Sequence, residues 1–285
     1  MPLIPRPAGL ALAALLAGCG LTALPEPAKA GNWVVYYGAT VTPGQLRPYR
    51  LAVLDAETRV NLRQVASQGT LVLGYISVGE VEQNRAHFAA VQAEGLLGDE
   101  NPNWPGSFYV DVRDPRWTRR VVEELVPALL ARGFGGVFLD TLDNPPHLER
   151  TDPVRWAGMT QGAADLVKAI RARYPGLPVM MNRGYDLLPL VAREIDLVLG
   201  ESVLSGWDFA RNRPQPVSAE DTAFQVNALK GARALNPALR VMTLDYWDPA
   251  DTAGVAALYA RQRANGFDPY VATLALDRII PEPPR

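Results

Sequence analysis

From Trp33 onward, apolar runs of strand length alternate with longer segments of helical period. The runs are 33–37 (WVVYY), 51–54 (LAVL, closing on Asp55), 71–77 (LVLGYIS) and 137–139 (closing on Asp140). They continue with 178–181 (closing on Asn182), 197–199 (followed by Gly200 and Glu201), 240–244 (closing on Asp245) and 270–274. Runs that are apolar throughout suit strands buried on both faces, as in a parallel sheet covered by helices. The segments between them carry helix boundary signals. Asp114-Pro115 reads as an N-cap with proline at the first helical position, and the helix it opens ends at Gly133. Pro127 inside that helix predicts a kink. Asp152-Pro153 predicts a helix running to Tyr174, and Asp248-Pro249 repeats the same start. Ser218 with Asp221 resembles a capping box. Eight strand–helix alternations over roughly 250 residues predict a single-domain α/β fold, a (β/α)8 TIM barrel. An open doubly wound sheet would need a switch point, and no GxGxxG or phosphate loop marks one.

Composition narrows the class. The 285 residues are 48% hydrophobic and 20% charged, enough apolar material for one large core. The net charge is −2 with both signs interspersed, so nucleic acid is not an expected partner. The start of the chain differs in kind. The apolar run 8–17 is too short to span a bilayer and ends at Leu16-Ala17-Gly18-Cys19, the single cysteine. It resembles a bacterial lipobox, predicting a lipoprotein signal peptide over 1–18, acylation of Cys19, a tether over 19–31 and the barrel over 32–285. An ordinary signal peptide cut near Ala30 is the alternative. Either way the chain is expected to be exported, touching a membrane only through a lipid anchor. Nothing in the sequence calls for an oligomer.

The chemistry lies in where the acids fall. Asp55, Glu80, Asp140, Glu201 and Asp245 each sit at or just past a strand end. Parallel barrel strands end on one face, so all five are expected at one mouth. Gathering like charges is costly and suggests function. Paired carboxylates are what glycosidic cleavage needs: one protonated, one ionised. Aromatic residues near the same mouth, Trp104 and Tyr246 among them, offer flat faces for sugar rings. The long segment after the third strand, with His87, Trp104 and Tyr109, reads as non-helical and as part of that mouth. Other chemistries fit poorly. His87 and His147 lack metal spacing, no GxSxG elbow occurs, and Lys168 and Lys230 fall in helices.

The segments Tyr75-Ile76-Ser77-Val78-Gly79-Glu80, 135–143 (GGVFLDTLD), Met181-Asn182-Arg183-Gly184 and Gly200-Glu201-Ser202, in this order, resemble glycoside hydrolase family 114, the endo-α-1,4-polygalactosaminidases. The resemblance runs from about Trp33 to Leu276. It implies a barrel without cofactor and a catalytic pair of Asp140 and Glu201. It places Asp55, Tyr75, Glu80, Asp143, Asn182 and Asp245 around the sugar, with Asp143 as an alternative acid. The implied substrate is an α-1,4-linked polysaccharide of galactosamine, partly N-acetylated. Retaining and inverting mechanisms both stay open. A surface lipoprotein that binds polysaccharide without cutting it is the alternative function.

Overall fold

The computed structural model describes residues 33–283. Eight parallel strands form one sheet: β1 (Trp33–Tyr36), β2 (Leu51–Leu54), β3 (Leu71–Ser77), β4 (Gly136–Asp140), β5 (Val179–Asn182), β6 (Leu197–Glu201), β7 (Arg240–Tyr246) and β8 (Asp268–Ala272). They are neighbours in chain order from β1 to β8. The sheet curls until its edges nearly meet. Trp33 Nε1 donates to the Asp268 carbonyl at 3.0 Å, and Tyr37 N donates to the Leu276 carbonyl at 2.7 Å. This is the expected (β/α)8 barrel.

Side chains alternate between the interior and the helical shell, because successive residues of a strand face opposite ways. Tyr75, Ser77, Asp140, Asn182, Glu201 and Tyr246 open onto a cavity at the strand C-termini. Gly74 faces outward instead. A Cβ there would meet Leu129 and Phe134 at 2.8–3.0 Å, so the glycine lets the helical layer close on the sheet. Gly200 does the same against Leu229.

The helices depart from expectation at their starts. Over Pro115–Arg132 the chain is helical and ends at Gly133 with φ 105°, but Val121–Leu125 is a π-helical turn. Pro127 has no N–H for the carbonyl of Glu123, which lies inside that turn, so the wider turn absorbs the missing bond. No helix begins at Asp152-Pro153. A helix over Asn144–Thr151 precedes it, and the long helix is Met159–Arg173. Its first N–H groups are capped from a distance: the Glu149 carboxylate accepts from Gly158 N at 2.7 Å and Thr160 N at 2.8 Å. Asp248 likewise caps only a turn, while Asp251 caps the helix Thr252–Ala264 by accepting from Gly254 N. Ser218 caps Ala219–Leu235 as expected, accepting from Asp221 N.

Two insertions rise over the barrel mouth. After β3, the strands Glu80–Glu82, Leu97–Glu100 and Ser107–Val110 form a small antiparallel sheet carrying a short helix, Phe88–Ala93, where the sequence reads as non-helical. After β6, Ser205–Asp208 and Arg213–Pro216 form a hairpin.

Candidate active site

The cavity at the strand C-termini has a volume of about 1220 Å³. Parallel pairing of β3 with β4 sets Ser77 beside Asp140. Asn182 follows on β5 and Glu201 on β6. Asn182 Nδ2 donates to Asp140 Oδ1 and to Glu201 Oε2, each at 2.8 Å. Those two oxygens are therefore at most about 5.6 Å apart. Among the described residues neither carboxylate forms an ion pair with an arginine or lysine.

Each acid has its own donors. Asp140 Oδ1 also accepts from Thr141 N at 2.8 Å, and the Tyr75 hydroxyl bonds the same carboxylate. Glu201 Oε1 accepts from the Tyr246 hydroxyl. Burial pushes the Asp140 carboxyl above the usual aspartate range, while its bonds from Asn182, Thr141 and Tyr75 pull it back. Burial also raises Glu201, and the negative charge of Asp140 adds to the rise. The hydroxyls of Tyr37, Tyr75 and Tyr246 are pushed well above the ordinary tyrosine range by burial and by these acids, so they remain donors at neutral pH.

The other expected residues divide. Asp55 lines the cavity, paired to Arg85 at 3.2 Å and accepting from Glu57 N. Tyr75 packs edge-on to Tyr37 at 5.4 Å, making one wall. Asp143 reaches the rim and pairs with Arg183 at 3.1 Å, while its charge still acts on Asp140. Trp104 is 54% exposed at the tip of the first insertion, edge-on to Phe209 of the hairpin at 6.0 Å. Glu80 touches the cavity, yet it belongs to the insertion and not to β3. Its oxygens accept from Asn101, Ser107 and Asn144 at 2.5 Å each. It locks the insertion to the helix after β4. Asp245 is a correction. It faces away from the mouth with no exposure, accepting from Leu204 N, Ser205 N and Gln262 Nε2 at 2.6–2.9 Å. Its neighbour Tyr246 takes the inward position, and alternation allows only one of the two. Asp245 anchors the second insertion to the barrel. Cys19 lies outside the described residues.

Several contributors were missed. Thr141 and Arg183 follow strand ends with φ of 63° and 51°, conformations that a β-branched residue rarely adopts. Thr141 Oγ1 accepts from Gly79 N at 2.8 Å and sits 3.0 Å from Ser77 Oγ, tying β3 to β4 beneath the pair. Both stand inside quoted motifs, directly after an expected site residue, which was the available signal. Arg85, remote in sequence, had none. Among the described residues no group of three or more His, Cys, Asp or Glu is arranged to hold a metal ion.

The sequence profile of glycoside-hydrolase family GH114 matches residues 20–283. A protein of Deinococcus radiodurans is 28% identical over 281 residues, covering 90% of this chain and 86% of that one. The glycoside hydrolase domain of PelA from Pseudomonas aeruginosa is 25% identical with a TM-score of 0.78, covering 89% of this chain and 98% of the domain. Ega3 of Aspergillus fumigatus, solved in complex with galactosamine, shares the fold at 17% identity and a TM-score of 0.60, covering 91% and 98%. With the profile spanning nearly all of the barrel and two acids facing one another at its mouth, the chain is a glycoside hydrolase and belongs to family GH114.

Proposed function

We propose that the protein is an exported, endo-acting hydrolase of α-1,4-linked galactosamine and N-acetylgalactosamine polysaccharide, working by retention through Asp140 and Glu201. The observation that carries the mechanism is the shared Asn182 amide, which holds both acids at nucleophile distance. Glu201 is assigned the acid role: burial and the charge of Asp140 raise its carboxyl, against the bonds from Tyr246 and Asn182 and the Arg183 charge that lower it. Asp140 is assigned the ionised role: an amide, a backbone N–H and a tyrosine hydroxyl stabilise its carboxylate against the burial that raises it. Asp140 attacks the anomeric carbon while Glu201 protonates the departing oxygen. Glu201 then deprotonates the water that releases the glycosyl-enzyme. The rim acids, in excess over nearby arginines, favour a cationic amino sugar, and the galactosamine held by Ega3 supports that choice. A groove open along the mouth suits internal cutting of a polymer. Export rests on the 8–19 segment, and the family match begins at residue 20, directly after Cys19.

The protein lacking residues 1–19 is to be incubated with α-1,4-polygalactosamine, its products sized by mass spectrometry and their first-formed anomer read by NMR. Oligosaccharides of retained α configuration are expected. Absence of product at every degree of acetylation would remove the substrate, and an inverted anomer would remove the mechanism. For the anchor, metabolic labelling with a fatty acid should mark the wild type and spare Cys19→Ala.

A further inference from the structure

A second cavity, of about 610 Å³, adjoins the first. The two share Asn101, Trp104, Asp143, Asn144 and Arg183, so they are compartments of one groove divided at Trp104. Their electrostatics differ. Beside the catalytic pair, Asp140 and Glu201 form no ion pair, although the charge of Arg183 reaches Glu201, and Asp55 and Glu82 share one arginine, Arg85, so acids outnumber cations there. In the second compartment every acid has a cation: Asp143 pairs with Arg183 at 3.1 Å and Asp186 with Arg150 at 2.6 Å. His147 lies among them. An ammonium gains from the first field and nothing from the second.

The apolar surface also differs. Phe224, on the helix Ala219–Leu235, is 57% exposed and presents its ring edge-on to Tyr185 at 5.9 Å. Tyr185 is held by its hydroxyl, which donates to Gln225 Oε1 at 2.6 Å. This aromatic corner lines the second compartment and not the first.

We infer that the second compartment is a subsite for an uncharged, N-acetylated hexosamine next to the cationic unit at the catalytic pair. The Tyr185–Phe224 corner receives the acetyl methyl and the sugar face. The arginines offer N–H groups to the acetamide carbonyl, and exposed ion pairs turn toward such a ligand at little cost. The inference rests on the amino-sugar reading above and adds where in the groove each kind of unit goes.

The test is digestion of randomly, partially N-acetylated α-1,4-polygalactosamine by the protein lacking residues 1–19, with product ends sequenced by tandem mass spectrometry. Acetylated units should be enriched severalfold over the polymer average at one fixed position near the cut. In Phe224→Ala that bias should shrink and KM should rise severalfold, with an unchanged melting temperature showing an intact fold. Average acetylation at every position, enrichment of free amines there, or an unaltered bias in Phe224→Ala would each overturn the subsite while leaving the hydrolase reading in place. No cleavage at any acetylation grade would remove both.

Discussion

Asp140 and Glu201 are bound to a single nitrogen, the side-chain amide of Asn182, by hydrogen bonds of equal length, 2.8 Å. Two half-buried acids are thus kept near one another, and among the described residues neither is ion-paired to an arginine or lysine. The amide stabilises the ionised form of each, against burial that opposes it. Asn182 therefore ties the two acids together and lowers the pKa of each against burial.

Substitution of the pair comes first. Glu201→Gln removes the proposed proton donor and should lower kcat by about 10²–10⁴-fold. Asp140→Asn removes the proposed nucleophile and should lower it at least as far. Initial rates on the polymer check both, and wild-type rates in either variant would exclude that residue from the chemistry.

Asn182→Ala removes the donor from both acids, so each pKa should rise further. In the proposed mechanism activity needs Asp140 ionised and Glu201 protonated. The acidic and alkaline limbs of the kcat/KM profile should therefore both move to higher pH, with the maximum reduced. A lower but unshifted profile would mean that Asn182 only fills space.

A stability effect of opposite sign follows from the same burial. The folded-state pKa of Asp140 lies above its unfolded value, so the native state favours the protonated form. The stability associated with it is complete below the unfolded pKa, about 3.9, and is lost as pH rises through the raised folded value. Asp140→Asn, neutral at all pH, should raise Tm at pH 7 by roughly 2–4 °C for a gain of about 1 kcal/mol. The gain should vanish near pH 3. Calorimetry at the two pH values decides it.

Asp245→Ala should destabilise the fold and act on catalysis only through it. Three donors, Leu204 N, Ser205 N and Gln262 Nε2, would lose their acceptor inside the protein. The cost is roughly 3 kcal/mol. Thermal melting checks it: an unchanged Tm with abolished sugar binding would restore Asp245 to the site.

Gly79→Ala tests the junction beneath the pair. A Cβ on Gly79 would sit 2.2 Å from the Thr141 carbonyl oxygen, a contact only backbone movement relieves. Thr141 directly follows Asp140, so the nucleophile should shift. A displacement on the order of 1 Å costs about 10²-fold in rate. Retention of full activity would show that the junction does not govern the site.

Much of the fold was readable in one dimension. The eight barrel strands lie where apolar runs lie, because strands buried on both faces tolerate almost no polar residue. Helix starts were read less well. Asp152-Pro153 and Asp248-Pro249 have the chemistry of caps, but the N–H groups at Gly158 and Thr160 are met by Glu149, nine and eleven residues earlier. A cap supplied from a preceding helix leaves no local mark.

Asp140 and Glu201 were legible as acids closing barrel strands, a position that in this fold lies at the mouth end of the barrel. Asp245 met the same description and points the other way, because strand alternation sends it or Tyr246 inward, and the pattern is equally good for both. The chain order of apolar runs and acids determined the barrel and the face on which its chemistry sits. Only the closed three-dimensional sheet decided which side of each strand end faces that mouth. The same closure let Asn182 span two acids from different strands and let Arg85 and Arg183 compensate some acids and not others. Those are distances across the barrel, set by register and curvature, which local sequence does not encode.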